Sequence, residues 1–377
     1  MSVCYVHTTN IVSNLGFTTA ENFKAVLEGR SGLDMHAFDF DTQPFCTSVI
    51  DETKLDEAFT AVGGEGEYTK LGKMIFLSVE SVRHELETDI SSPDLLWILC
   101  TTKADINALA DVDTEDEVLY PLVHKIEDHF SLYHKPMIIS NACISGLQGL
   151  IAAQRLISEG AYRYVIITGA DLVSTFTLSG FNAFKATSND YCRPFDQARA
   201  GINLGEAAAT IVLGKEPPLR KGDKIRLTAG AICNDATHIS APSRTGEGLY
   251  NAIQQVLAAT GAEQDSIDFI SAHGTATIYN DEMEACAFFR AGLDNVPMHS
   301  LKSYFGHTLG AAGVLESAMA MESLLENTFI PMKWFENSGV THHISPILYP
   351  ATQQMQRCLK TSSGFGGNNA VVLFEKC

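Results

Sequence analysis

Several short runs of this chain are apolar and β-forming along their whole length, and this constrains its fold more than any other feature. Pro136–Ser140, Tyr164–Gly169, Ala208–Leu213, Ile225–Ala231, Phe269–Ala272 and Ala370–Phe374 read as strands buried on both faces, because a strand with one wet face would alternate. Helical stretches lie between several of them: Gly146–Glu159, Glu247–Ala259, Glu282–Ala291 and Leu309–Glu326. Doubly covered strands separated by helices predict an α/β layered fold.

The order of these pieces repeats. A strand leads to SNACISG, a helix of small residues, another strand and the closing strand AAATIVLG. Later, LKSYFGHTLGAAG opens a second small-residue helix that leads to the closing strand NNAVVLFEK. Cys143 stands 70 residues before Leu213, and His307 stands 67 before Phe374. The charged segment Lys215–Lys224, with Pro217 and Pro218, lies between the two sets. We expect a duplicated α/β unit with halves at 1–217 and 218–377.

With 377 residues, 45% of them hydrophobic, the chain can bury a core without disulfide or metal support. MSVCYVHTTNIVSNLG has no basic segment followed by a long apolar one, and no run approaches the roughly 20 apolar residues of a membrane span. Nine cysteines, an odd number without a CxxC pair, predict reduced thiols and no metal site. A soluble cytoplasmic protein is therefore expected. The net charge of −19 argues against nucleic-acid binding and means that an acidic partner needs a local basic patch.

Four elements carry chemistry. Cys143 falls where a strand gives way to a helix, and free amides at a helix start favour thiolate over thiol. Its small neighbours Ser145 and Gly146 let a carbonyl approach. His273 follows the strand Phe269–Ala272, with Gly274, Thr275 and Thr277 beside it. Lys302 and His307 lie five residues apart, and a cation near an imidazole keeps it neutral. The glycines of Ser363–Asn368 could present amides to an oxyanion. Singly, each has an ordinary reading: a packing cysteine, a structural histidine, a surface turn, a tight turn into a strand.

Together they resemble the elongating β-ketoacyl synthases of the thiolase superfamily over nearly the whole chain. The matching segments are NACISG around Cys143, RPFDQARAGINLGEAAA (Arg193–Ala209), NDATHISAP (Asn234–Pro242), AHGTATIYNDEMEA (Ala272–Ala285), KSYFGHTLGAAGVLE (Lys302–Glu316) and GFGGNNAVVLF (Gly364–Phe374). The resemblance implies a five-layer α-β-α-β-α sandwich and a dimer, either a homodimer or a heterodimer with a second ketosynthase-like chain. It implies that Cys143 accepts the acyl group of an acyl carrier protein and that the amides of Cys143 and Phe365 hold the oxyanion. His273 and His307 would serve decarboxylation of a malonyl carrier protein. Lys302 would position them and Glu316 would anchor Lys302. Phe365 would gate the acyl pocket. Thr275, Thr277 and Ser240 would bind the phosphopantetheine arm, which belongs to the carrier protein, so the enzyme itself needs no cofactor. Lys70, Lys73 and Arg199 are the expected basic rim for carrier docking.

Three departures stand out. Bulky Ile144 follows the nucleophile, Trp97–Leu109 lacks the glycines expected near the acyl pocket, and the first half is short. These features are similar to those of the compact ketosynthases of aryl polyene and related pigment clusters. Two other readings fit the sequence less well. A thiolase needs a second cysteine within the C-terminal glycine turn, where Cys358 and Cys377 do not fall. A non-catalytic chain-length subunit typically lacks the nucleophile, whereas Cys143, His273, Lys302 and His307 are all present. Initiating synthases use Cys-His-Asn, which His307 disfavours.

Overall fold

The computed structural model describes residues 3–107 and 120–377. The first half runs β1 (Cys4–Val12), α1 (Thr19–Leu27), β2 (Asp34–His36), β3 (Phe45–Ser48), α2 (Glu52–Ala61), α3 (Lys70–Arg83) and β4 (Leu95–Cys100). It continues through α4 (Tyr120–Phe130), β5 (Met137–Ile139), α5 (Ser145–Ser158), β6 (Tyr164–Asp171), α6 (Thr175–Ala183), β7 (Leu204–Gly205) and β8 (Ala207–Gly214). The second half begins β9 (Ile225–Asn234), α7 (Glu247–Thr260), β10 (Phe269–Ser271), α8 (Ile278–Arg290) and β11 (Pro297–His299). It ends with α9 (Lys302–Phe305), α10 (Ala312–Leu325), β12 (Ser345–Pro346), β13 (Arg357–Gly364) and β14 (Asn368–Lys376).

The two halves share one strand plan. In the first, the order is β5-β4-β6-β8-β1; in the second it is β11-β10-β13-β14-β9, with β12 added at the edge. The directions match as well. β4 is parallel to β5 and β6, and β8 is antiparallel to β6 and β1. Likewise β10 is parallel to β11 and β13, and β14 is antiparallel to β13 and β9. A short antiparallel ladder, Cys4 opposite Leu227 and Tyr5 opposite Arg226, links the two sheets.

Five layers follow from where the apolar residues sit. β4, β6 and β8 are buried at every position, so both of their faces need cover. The helix α3 covers β1, β6 and β8 from outside, and α7 covers β9 and β14 on the opposite side of the molecule. Between the sheets run α5 and α10, and α10 is buried almost all the way round. That burial is why its sequence shows no polar stripe.

The middle layer is closed by glycine. A Cβ on Gly313 would lie 2.5 Å from the Leu147 amide nitrogen, and one on Gly146 would lie 2.8 Å from that of Val314. The starts of α5 and α10 therefore touch backbone to backbone, at equivalent places in the two halves. Two helix starts differ from the sequence reading. α8 begins at Ile278, not Glu282, and the first turn after His307 is a 3-10 turn at Leu309–Ala311, with α10 beginning at Ala312. There Leu309 is left-handed (φ 52°) and the Gly310 N–H is taken by Asp171 at 2.7 Å, so the regular helix starts later. Among the described residues no helix is long and apolar enough to cross a membrane.

Candidate active site

Cys143 is set by a sharp turn at the exit of β5. Ala142 is left-handed (φ 45°), which costs an alanine about 1 kcal/mol. Local hydrogen bonds hold it there. Ser145 Oγ accepts the Asn141 N–H at 2.8 Å and donates to the Ala142 carbonyl at 2.6 Å, and Ser362 Oγ donates to the Cys143 carbonyl at 3.1 Å. Ile144 is fully buried and faces Gly364, where a Cβ would already be 3.5 Å from its methyl.

The imidazoles come from the other half. His273 leaves β10 with its N–H donated to Glu284 Oε1 (2.9 Å) and Thr361 Oγ1 (3.2 Å), and the Gly274 N–H goes to Glu284 Oε2 (2.6 Å). His307 donates its N–H to the Asn203 carbonyl (2.7 Å) and accepts the Gly205 N–H (3.0 Å), so the first half fixes its place. The two rings stand edge to face, centroids 5.1 Å apart. One atom each of Cys143 (Sγ), His273 and His307 (a ring nitrogen) lie within 4.8 Å of one another. Neither nitrogen of His307, nor Nδ1 of His273, has a hydrogen-bond partner among the described residues.

Charge beneath the rings is organised by Glu316. It is bridged by Lys302 and, at 2.6 Å, by Lys360, all three being buried. Burial first, and then the Lys302 cation, holds both imidazoles well below their usual 6.5, so they are neutral. Lys360 adds to this at both rings. The cysteine departs from the expected thiolate. Burial pushes its thiol up to about 11, opposed by Lys302 and by a hydrogen bond from the Phe365 backbone. Desolvation outweighs the helix start, which a sequence reading cannot weigh.

A cavity of about 370 Å³ reaches the sulfur and is lined by Cys143, His273 and His307 together with Thr275, Thr277 and Ser240. The Thr275 and Thr277 hydroxyls are 2.8 Å apart. Phe365 lies at the mouth, 38% exposed, stacked on Phe181 (5.6 Å) and edge-on to Phe184 (5.8 Å).

The three residues of the expected basic rim all have partners within the chain. Arg199 has a 6% exposed side chain, with Nη1 donating to the Gly339 carbonyl at 2.7 Å and to the Asp196 carbonyl at 3.0 Å. Lys70 is bound to the buried Glu206, and Lys73 to Asp56 at 2.6 Å. Each charge is thus paired or hydrogen-bonded within its own chain, and Arg199 is turned inward. In Trp97–Leu109, Asp171 gathers the amides of Thr102 (2.9 Å) and Lys103 (3.3 Å), fixing a loop without glycines; Ala108 and Leu109 lie outside the described residues. Sequence reasoning missed Lys360, Glu284, Phe181 and Phe184. The lysine alone had a visible signal, as the one charged residue inside the run CLKTSS.

Two consecutive family models match the chain: the beta-ketoacyl synthase N-terminal domain at residues 126–217 and the beta-ketoacyl synthase C-terminal domain at 226–335. Among curated relatives, a 3-oxoacyl-(acyl-carrier-protein) synthase 2 from Rhizobium meliloti is 33% identical over 253 residues, spanning 63% of this chain and 60% of that protein. The enzyme of the same name from Vibrio cholerae is 27% identical over 403 aligned positions, spanning 97% of both. Among solved structures, a ketosynthase in complex with its chain length factor from Xenorhabdus doucetiae superposes with a TM-score of 0.86 at 22% identity, covering 100% of this chain and 98% of that one. A beta-ketoacyl synthase from Burkholderia phymatum gives 0.82 at 20% identity, covering 100% of both.

Proposed function

The chain belongs to the β-ketoacyl synthase family of acyltransferases, with the duplicated thiolase-type fold, and from that premise we propose that it condenses an acyl group held on Cys143 with a malonyl thioester. One observation carries the reading: a thiol and two neutral imidazoles, contributed by different halves, meet within 4.8 Å in one cavity.

In the first step an acyl carrier thioester enters past Thr275, Thr277 and Ser240, whose hydroxyls suit a phosphopantetheine arm carried by the substrate. The Cys143 sulfur attacks the carbonyl, its proton passing by way of an imidazole to the departing pantetheine thiolate, and a new thioester forms on Cys143. The Cys143 and Phe365 amides hold the oxyanion. A malonyl thioester follows. Its bond to the carboxylate breaks, carbon dioxide leaves, and the electron pair becomes an enolate whose oxygen accepts N–H bonds from His273 and His307. Neutral rings suit this role, since each carries one donor proton. The carbanion attacks the Cys143 thioester, forming the new carbon–carbon bond, and the thiolate leaves and is reprotonated. Lys302 and Glu316 position the rings. Phe365, backed by Phe181 and Phe184, gates the mouth.

An acyl carrier protein is the partner in this reading. A dimer through the β5 edge is part of it, because that strand ends the sheet with Met137 exposed. Either a second copy or a ketosynthase-like sister chain would fit there. Nine free cysteines suit a cytoplasmic setting. Ile144 and the glycine-poor loop after Trp97 support the compact pigment-cluster subtype. Intact-mass measurement after incubation with an acyl carrier thioester tests the proposal. A single acyl adduct mapping to Cys143 is expected; a folded protein that stays unmodified would favour a non-catalytic chain-length subunit.

A further inference from the structure

Lys360 is a charged side chain in the middle of β13, and it is wholly buried. Its Nζ donates to the Thr361 carbonyl at 2.6 Å, to the Ser271 carbonyl at 3.1 Å and to the Ala272 carbonyl at 3.4 Å, and it is ion-paired with Glu316 Oε2 at 2.6 Å. Three carbonyl oxygens and a carboxylate surround the nitrogen, an environment that suits an ammonium; a neutral amine would leave its lone pair facing a carboxylate. Lys302 occupies the other oxygen of Glu316. Two buried cations share the one carboxylate they touch, with buried Glu284 acting on Lys360 from farther off, a costly arrangement if only structure were at stake.

What the second cation reaches explains the arrangement. The Ser271 and Ala272 carbonyls that it holds, the latter at 3.4 Å, immediately precede His273. The neighbouring Thr361 hydroxyl accepts the His273 N–H. Through Glu316 the same ammonium joins Lys302, which starts the turn leading to His307. We propose that Lys360 is a second positioning residue for the decarboxylation site, tying both histidine-bearing segments to one carboxylate and adding a second positive charge beneath the rings. The inference rests on the condensing reading given above.

Every charged or titratable group around the rings fits this scheme. Cys143 faces them from the turn before α5, Lys302 from α9, Glu316 from α10 and Lys360 from β13. Glu284 on α8 is occupied by the His273 and Gly274 amides. His299 on β11, pushed down to about 3 by burial and by Lys360, is neutral. Among the described residues, only the two lysines place positive charge under the rings.

The test compares wild type with Lys360→Met, which removes charge and hydrogen bonds, and Lys360→Gln, which keeps a donor without charge. The readout is carbon dioxide release from malonyl carrier protein across pH 4.5–8, with thermal melting run alongside. Losing a cation raises the ring pKa values, so the acid limb should move up by about one pH unit in both variants. Melting should fall further in the methionine variant than in the glutamine one. An unmoved acid limb in folded variants would overturn the inference, as would a uniform loss of rate at every pH or failure of both variants to fold, since each marks a purely structural lysine. If wild type releases no carbon dioxide, it is the condensing reading that fails instead.

Discussion

Adding one methyl group to Gly313 should cost this protein more in activity than in stability. The methyl carbon would stand 2.5 Å from the Leu147 nitrogen, about 0.9 Å inside the 3.4 Å at which ordinary contact begins. The obstacle is backbone, so relief requires α5 and α10 to part. Overpacking of this kind costs about 1–3 kcal/mol, and the better helix propensity of alanine returns up to about 1 kcal/mol. The net loss is therefore about 0–2 kcal/mol. The catalytic consequence is larger, because Cys143 sits at the start of α5 and His307 just ahead of α10. Shifting a nucleophile by nearly 1 Å from its partner costs roughly 10²-fold in rate. The assay is condensation of an acyl carrier thioester with malonyl carrier protein by Gly313→Ala, beside a melting curve. Gly180→Ala in α6 is the control, since nothing lies within 4 Å of its added methyl; it should be neutral or stabilising by up to about 1 kcal/mol. Wild-type rate and melting in Gly313→Ala would refute the claim that the helix contact sets the site.

Further expectations follow from the charges and the mouth. Lys302→Met should slow iodoacetamide alkylation of Cys143 at pH 8–9, because Lys302 favours the thiolate; in wild type, the rate should climb with pH toward the thiol's value of about 11. An unchanged alkylation profile would show that the lysine does not reach the sulfur. Phe365→Ala should speed labelling of Cys143 by bulky thiol reagents several-fold, read by peptide mass mapping, since the ring stacks at the cavity entrance. Arg199→Ala should lower stability by about 1–2 kcal/mol in urea unfolding, because two partly buried carbonyls lose a charged donor. Once folded, that variant should keep a normal KM for carrier protein.

What could be read from the sequence was whatever depends on position along the chain. Cys143 and His273 stand just past strands and His307 just ahead of a helix, and the spacing of the two closing strands disclosed the duplication. Lys302 and Glu316 came with the same motif. Groups whose meaning depends on what they meet in space could not be read this way. Lys360 and Glu316 are 44 positions apart and meet only because β13 packs against α10. Lys70, Lys73 and Arg199 looked like free cations because nothing in a sequence marks a lysine as paired with Glu206 or Asp56, or an arginine as turned inward. The thiolate expectation for Cys143 failed for a related reason. A helix start is visible in the chain, whereas the depth of burial that opposes it is a property of the folded molecule.

The claim that sulfur and imidazoles act as one centre assembled from both halves is tested most directly by separating the two half-reactions in variants. Wild type, Cys143→Ala and His307→Ala would each be given acyl and malonyl carrier proteins, with released carbon dioxide and extended product measured together. The account predicts that Cys143→Ala makes no extended product yet still releases carbon dioxide, while His307→Ala still takes up acyl groups but loses at least about 10²-fold in carbon dioxide release. Extension by Cys143→Ala, or undiminished carbon dioxide release from His307→Ala, would contradict it.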